Sequence, residues 1–346
     1  MPVEEAWTIA RAMEWCRAYL EAHGDPKARL SAEWLLSAAS GLSRVELYAH
    51  HDRVLSMSER DVLRESLKRR GTGEPLQYVC GEAAFRHIVV KCESGVFIPR
   101  PETEMLVELA LAGVAARGML GPGSLAGHGG APAVGEGQYG GLRDASSDAV
   151  GSPMVRALEV GTGTGCIACS LAREAGWHVT ATDVSHVACE LARRNVDALG
   201  LGDLVEVVEC DCVSGIPEAP GAATADAPEA SGTGSARTGF DVLVSNPPYV
   251  PSAVVGTLDR EVRLFEPEAA LDGGADGLAF LRRLLDEALP LVRPGGFAAF
   301  ELFEEHTAEA ARLLGAAGMC DVEVVRDLTG RERFVTGVKL WETHSA

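Results

Sequence analysis

The sequence lacks any long apolar run and any basic leader. None of its apolar runs approaches the roughly 20 residues that a membrane-spanning helix needs. The opening residues, MPVEEAWTIARAMEW, carry acidic side chains where a secretory signal carries Lys or Arg, and no apolar core follows them. We therefore expect a cytoplasmic protein without a membrane partner. Its 346 residues, 47% of them apolar, suffice for two globular domains.

Positive charge is also scarce, with 31 Lys and Arg against 50 Asp and Glu and a formal net charge of −19. Such a surface repels phosphate backbones, so binding to long nucleic acid would need a local basic patch. The one modest candidate, Lys68-Arg69-Arg70, is better explained as the last turn of a helix, where the helix dipole favours cations. The charge thus favours a protein or small-molecule acceptor and no direct nucleic-acid partner.

The cysteines show no sign of a disulfide framework, because they are nine in number and scattered along the chain. This distribution is typical of reduced thiols in a cytosolic protein. Cys166 and Cys169 form a C-x-x-C, but no second C-x-x-C or His pair complements them. We interpret them as two small buried residues one helical turn apart, and we expect no metal site.

Residues 1–80 show only the spacing of helices. Apolar residues recur at helical intervals in three stretches, 6–20, 30–39 and 62–67. This pattern predicts a small all-helical domain over residues 1–80. Two strand-like segments, 85–90 and 95–98, then predict a β-hairpin linker over residues 81–98.

Strands and helices alternate through residues 99–346. Strands are predicted at 155–160, 179–182, 205–208, 241–245, 296–301, 322–327 and 333–339. The alternation predicts an α/β fold with a mostly parallel seven-stranded sheet, helices on both faces and an antiparallel hairpin at one edge. Two segments rich in Gly, Ala, Ser and Pro, 118–153 and 217–239, are predicted to be flexible surface insertions in this domain.

A glycine-rich loop, Gly161-Thr162-Gly163-Thr164-Gly165, follows the first strand of this domain. Glycines there allow a sharp turn and let a ligand lie against the main chain. The third glycine comes one place too early for the dinucleotide fingerprint, and Glu159 beside the loop favours a cationic ligand. S-adenosylmethionine meets this description. The alternative is a tight strand-to-helix turn without a ligand.

Acidic residues end the next two strands. Asp183 lies 20 residues after Gly163, where its carboxylate can accept hydrogen bonds from two ribose hydroxyls; the alternative is a helix N-cap. Asp211 and Cys212 follow the third strand, where such folds contact adenine, with a turn aspartate and a buried thiol as alternatives. The residues predicted to bind S-adenosylmethionine are Gly161, Thr162, Gly163, Thr164, Gly165, Asp183, Asp211 and Cys212, together with Asn246 of the segment that follows the fourth strand.

The segment Asn246-Pro247-Pro248-Tyr249 follows an apolar strand, at the sheet edge where α/β folds bind ligands. An amide or aromatic amine nitrogen is a poor nucleophile because its lone pair is delocalised. The Asn246 side-chain oxygen and the Pro247 carbonyl can accept its two N–H hydrogens, and the Tyr249 ring can stack on a planar acceptor. Pro247 and Pro248 also remove competing N–H donors. We predict that all four bind substrate and that Asn246, Pro247 and Tyr249 are catalytic; a plain turn is the alternative.

These motifs resemble those of the class I amino-methyltransferases, which have a Rossmann-like fold and act on adenine-N6 in DNA or glutamine-N5 in proteins. Further segments resemble one branch, the peptide chain release factor N5-glutamine methyltransferases. They are GEPLQY at 73–78, IPRPETE at 98–104, FEP at 265–267 and LDGGADGL at 271–278.

The resemblance implies that the substrate is the glutamine of the Gly-Gly-Gln loop in class-1 release factors. It also implies that the helical domain docks the release factor, and that Phe97 lines the acceptor cleft. Arg100 and Glu102 either contact the substrate or order the loop as a charged helix start. One departure is His306, where the family usually has Gln.

Three other functions remain open from the sequence. A sister branch methylates a ribosomal-protein glutamine and shares the Asn-Pro-Pro-Tyr segment, although IPRPETE argues against it. A DNA adenine methyltransferase fits poorly with the charge of −19. A non-catalytic S-adenosylmethionine sensor or scaffold would have no need of Asn246.

Overall fold

The computed structural model describes residues 6–117, 154–216 and 239–340. The predicted insertions at 118–153 and 217–239 lie outside the described residues, except for Gly239. Across the described ranges, no helix has the length and apolar character needed to cross a bilayer.

The first part of the chain is a bundle of helices: α1 Ile9–Ala22, α2 Ala28–Ser40, α3 Arg44–Ala49, α4 Met57–Gly71 and α5 Leu76–Cys80. Capping boxes begin two of them, with Ser43 at α3 and Ser56 at α4. Three of the helices were predicted, whereas α3 and α5 are too short to show an apolar period. Lys68, Arg69 and Arg70 occupy the last turn of α4, as the helix-dipole interpretation predicts.

A hairpin follows the bundle, but its strands differ from the prediction. Strands β1 Glu82–Phe85 and β2 Ile88–Lys91 pair antiparallel, so the turn falls inside the predicted strand 85–90. Arg86 adopts a φ of 49° in this turn, and Phe85 and Ile88 are both buried. The predicted strand 95–98 is wrong: these residues form a loop without regular structure.

The remaining strands form one seven-stranded sheet: β3 Arg156–Val160, β4 His178–Asp183, β5 Val205–Glu209, β6 Phe240–Ser245, β7 Val292–Glu301, β8 Met319–Arg326 and β9 Glu332–Lys339. Their order is β5-β4-β3-β6-β7-β9-β8. Pairing is parallel from β5 to β7 and antiparallel at β9 and β8. The predicted fold class, including the edge hairpin, is confirmed. The strand order reverses between β3 and β6, and ligands bind at such a point in α/β sheets.

The helices of this part of the chain are α6 Glu104–Ala116, α7 Cys166–Ala175, α8 His186–Ala198, α9 Ser252–Val255, α10 Arg260–Phe265, α11 Ala279–Arg283 and α12 Thr307–Ala316. Those with buried side chains cover both faces of the sheet, whereas the short α9 and α10 have none. Helix α11 continues as a π turn, so the predicted helix 278–292 is not regular. One core packs α6 and α7 against the sheet, and a second packs α11 and α12 against the opposite face. Cys166 and Cys169 are buried in α7, as interpreted from the sequence.

Candidate active site

A cavity of about 420 Å³ opens at the carboxyl ends of the central strands. Its volume lies within the range typical of small-molecule sites. The wall includes these predicted site residues: Gly161, Thr162, Gly163, Thr164, Asp183, Asp211, Cys212, Asn246, Pro247, Pro248 and Tyr249. Gly165 does not line the cavity. The two predicted halves of the site therefore meet in one space.

The glycine loop after β3 is held by neighbouring main chain. The N–H groups of Gly161 and Thr162 both donate to the Thr182 carbonyl oxygen, at 2.8 and 2.9 Å. Gly161 has a φ of +79°, and a Cβ there would meet no protein atom within 4 Å. Gly165 serves packing, because a Cβ on it would lie 3.3 Å from the Ala192 Cβ of α8. The loop thus turns back with its main chain bare toward the cavity.

Glu159 does not act as the sequence interpretation supposed. Its side chain is fully buried beneath the loop, where it accepts hydrogen bonds from the Thr162 hydroxyl (2.8 Å) and the Ala168 N–H (3.0 Å). Burial raises the pKa of Glu159 to about 8, so the carboxyl is largely protonated at neutral pH. Glu159 therefore holds the loop in place and does not line the cavity, so its position beside the loop gives no support of its own to a cationic ligand.

Asp183 is the acid that faces the cavity. Its Oδ2 accepts the Gly163 N–H and its Oδ1 accepts the Ser185 N–H, each at 2.9 Å. Burial raises the pKa of Asp183, and these backbone hydrogen bonds oppose that shift. The N-cap of α8 is Ser185, which accepts the Ala188 N–H, so the N-cap alternative for Asp183 is wrong. Each Asp183 oxygen keeps a lone pair for a ligand hydroxyl.

The two residues after β5 differ in how they line the cavity. The Asp211 carboxylate forms an ion pair with Arg283 at 2.9 Å and is largely exposed. Cys212 is buried, has a φ of 53°, and its carbonyl accepts the Thr182 hydroxyl at 2.9 Å. The Cys212 carbonyl is thus engaged, but its N–H donates to no acceptor in the described part of the chain and is left for a ligand, whereas the Asp211 side chain is already engaged at the rim.

The Asn-Pro-Pro-Tyr segment is supported from behind by the loop 271–277. The Val250 N–H donates to the Leu271 carbonyl and the Gly273 N–H donates to the Val250 carbonyl, at 2.9 and 2.8 Å. A Cβ on Gly273 would lie 2.7 Å from both the Pro248 oxygen and the Tyr249 Cα. The glycines of this loop therefore allow its close contact with the acceptor segment.

The orientation of Asn246 is set by a residue that the sequence reasoning did not select. Its Nδ2 donates to the Thr103 hydroxyl oxygen at 3.1 Å, which leaves Oδ1 as a free acceptor. The Tyr249 hydroxyl donates to Glu301 Oε1 at 3.5 Å, and Arg333 also lines the cavity. Thr103 lies within the segment IPRPETE, and Glu301 ends β7, the strand beside β6. Both positions in the sequence could therefore have indicated a site residue.

Arg100 orders its loop, which was one of the two alternatives, and it also lines the cavity, where the other alternative places it. Its guanidinium pairs with the buried Glu266 carboxylate, which also accepts the Ile98 N–H at 3.2 Å. The two quoted segments IPRPETE and FEP thus meet through this pair. Burial raises the pKa of Glu266, and the charge of Arg100 opposes that shift.

The acceptor side of the cavity has an apolar wall. Phe97 belongs to it as expected, and further members come from α9, α10 and later elements: Val254, Leu258, Val262, Phe280 and Phe303. The sequence pattern did not mark α9 and α10, since each is too short to show a helical period.

Known proteins match this chain over almost its whole length. The PrmC N-terminal domain model matches residues 11–81, and a methyltransferase domain model matches residues 157–227. The release factor glutamine methyltransferase of Chlorobaculum tepidum is 36% identical over 334 residues, covering 96% of this chain and 98% of that protein. The enzyme of that name from Geobacter sulfurreducens is 34% identical, covering 96% and 97%. The chain belongs to the release factor glutamine methyltransferase family.

Proposed function

We propose that the protein transfers a methyl group from S-adenosylmethionine to the side-chain amide nitrogen (N5) of the Gly-Gly-Gln glutamine in class-1 peptide chain release factors. The observation that carries the proposal is the Asn246 amide, whose Nδ2 is bonded to Thr103 so that its oxygen is left for an acceptor. Its place in the same cavity as the glycine loop and Asp183 supports a single methyl-transfer site.

The residues of the cofactor half suit S-adenosylmethionine. Gly161 presents bare main chain, Asp183 presents carboxylate lone pairs to ribose hydroxyls, and the main chain at Cys212 suits an adenine edge. When bound, S-adenosylmethionine supplies a methyl group already activated by its sulfonium. The site therefore needs to position the acceptor nitrogen for in-line attack more than it needs a strong base.

The acceptor half suits a primary amide. Asn246 Oδ1 and the Pro247 carbonyl would each accept one amide N–H, which orients the nitrogen lone pair toward the methyl carbon. The new bond is N–C, the broken bond is C–S, and the surplus amide proton leaves to water. The Tyr249 ring would pack on the planar amide, its hydroxyl held at Glu301.

Residues 1–80 are proposed to be the domain that docks the release factor, residues 81–98 a linker, and residues 99–346 the methyltransferase domain. Two contacts join the helical bundle to segments beside the cavity, so that docking of the release factor on the bundle could affect the site. The Tyr78 hydroxyl donates to the Val96 carbonyl at 2.6 Å, and Arg70 pairs with Glu261 of α10 at 3.1 Å. The net charge of −19 would attract a basic, RNA-binding partner to the enzyme, and we propose that they meet in the cytoplasm.

Labelled S-adenosylmethionine tests this function directly. We expect label on a class-1 release factor and none on the same factor with Gln→Ala in its Gly-Gly-Gln loop, because only the glutamine presents the amide. Mass spectrometry should place one methyl group on N5. Label on the Gln→Ala factor, on a ribosomal protein instead, or on duplex DNA alone would contradict the proposal.

Asp183→Asn tests the cofactor half. We expect the Kd for S-adenosylmethionine to rise about tenfold, because the neutral amide offers one acceptor oxygen instead of two. Isothermal titration calorimetry gives the Kd. Asp203→Asn is the control, since Asp203 is exposed and precedes β5, at the end of that strand away from the cavity. Equal affinity in Asp183→Asn and wild type would remove Asp183 from the cofactor site.

A further inference from the structure

Glu301 lies behind the Asn-Pro-Pro-Tyr segment, where it contacts the Tyr249 hydroxyl. It does not line the cavity and does not belong to the predicted cofactor half, so neither role explains why a glutamate is buried there. Ser245 of β6 is paired with Phe300 of β7, so Asn246 and Glu301 leave the sheet side by side. The Glu301 side chain is 1% exposed, which is costly for a carboxylate unless it is used. Thr103, at the start of α6, stands next to both residues.

The Thr103 hydroxyl can act in two ways toward Asn246. A hydroxyl has one hydrogen to donate and lone pairs with which to accept. If its hydrogen goes to Asn246 Oδ1, the acceptor oxygen of the site is consumed. If its hydrogen goes elsewhere, the oxygen is free to accept Asn246 Nδ2, which is the arrangement found at 3.1 Å.

Ionised Glu301 can accept the hydrogen of the Thr103 hydroxyl, because a carboxylate acts only as a hydrogen-bond acceptor. The Tyr249 hydroxyl lies 3.5 Å from its Oε1, its buried Oε2 accepts no hydrogen bond within the described residues, and the nearby Thr103 hydroxyl and the charge of Arg333 both favour its ionised form. We propose that Glu301 is a positioning residue that acts through Thr103 to keep the Asn246 oxygen directed at the acceptor amide. This inference rests on the proposed function, since it explains how Asn246 is held.

We call the series Glu301–Thr103–Asn246 the relay. The charges around Glu301 determine the pH range in which the relay operates. Arg333 on β9 favours the ionised form, whereas burial, the largest cause, and Glu102 before α6 favour the protonated form. Together they raise the pKa of Glu301 to about 7. Protonated Glu301 can donate to the Thr103 oxygen, which frees the Thr103 hydrogen to turn toward Asn246 Oδ1. The relay is therefore complete above about pH 7 and weakens as the pH falls below it.

Glu301→Gln is the first test, because it keeps the shape of the side chain and adds a donor. We expect kcat to fall about tenfold, while the Kd for S-adenosylmethionine and the KM for the release factor stay near their wild-type values. In wild type, kcat should rise with pH through about 7, and Glu301→Gln should lose that rise. Asp241→Asn is the matched control, since it neutralises another buried carboxyl, which lies at the opposite end of β6 from Asn246 and is paired with Arg293.

Thr103 provides the second test, which is independent of the stability of Glu301 variants. Thr103→Val should lower kcat by a similar factor, and Thr103→Ser should recover most of the loss. Combined with Glu301→Gln, Thr103→Val should add little further loss, because both changes break one relay. Additive losses, or wild-type kcat and pH profile in Glu301→Gln, would overturn the inference. A wild-type enzyme that leaves the release-factor glutamine unmethylated would instead overturn the proposed function.

Discussion

Replacing Asn246 with Ala is expected to lower kcat by at least about 1,000-fold while leaving cofactor binding nearly intact, because the other predicted cofactor residues that line the cavity are unchanged. The substitution removes the acceptor that fixes one amide N–H, and the nitrogen then keeps its delocalised lone pair and loses its alignment. The Asn246 side chain contacts Thr103 on the acceptor side, whereas the glycine loop and Asp183 form the other half of the cavity. Single-turnover methylation and calorimetric titration with S-adenosylmethionine measure the two halves separately.

Asn246→Asp is an informative companion to this variant. Aspartate keeps an acceptor oxygen at the site but cannot donate to the Thr103 hydroxyl, so its orientation is no longer fixed. We expect activity between that of wild type and Asn246→Ala. If Asn246→Ala lost cofactor affinity as severely as turnover, the division of the cavity into two halves would be wrong.

The central site was predictable because parallel strands bring their carboxyl ends to one edge. The glycine loop after β3, Asp183 at the end of β4 and Asn246 after β6 each follow a predicted strand. Once the order β4-β3-β6 exists, these residues must lie close together. Local sequence therefore carried both the fold class and the principal members of the cavity.

What sequence could not supply depends on contacts between distant segments. Asn246 and Thr103 are 143 residues apart, so no local pattern shows that they are hydrogen-bonded. Glu159 looked like a charge beside the loop, and only its complete burial shows that it supports the loop from beneath. Helices α9 and α10 have four and six residues, too few to leave a periodic signal.

The loop 271–277 illustrates how a motif without chemistry of its own can hold an acceptor segment in place. Gly273 has no reactive group, yet its absent side chain lets the loop main chain lie directly against Pro248 and Tyr249. The hydrogen bonds on either side, Val250 to Leu271 and Gly273 to Val250, fix that approach. Close packing of this kind transmits any displacement to the acceptor segment.

Gly273→Ala is therefore expected to reduce both stability and activity. The new Cβ would lie 2.7 Å from the Pro248 oxygen and the Tyr249 Cα, and these backbone atoms cannot rotate away. Overpacking of this kind costs about 1–3 kcal/mol in free energy of unfolding. A shift of the acceptor segment by about 1 Å should lower kcat by about 100-fold. Chemical denaturation and steady-state methylation of a release factor measure the two effects.

Gly256→Ala is the matched control for this prediction. Gly256 follows α9 with an ordinary φ of −65°, and a Cβ there would meet no atom within 4 Å. Its free energy of unfolding should change by no more than about 0.5 kcal/mol, and its kcat should stay at the wild-type value. If Gly273→Ala behaved like Gly256→Ala, the loop could not be the rigid support of Asn-Pro-Pro-Tyr. A loss confined to Gly273→Ala would mean that a glycine without chemistry of its own determines where the acceptor nitrogen is held.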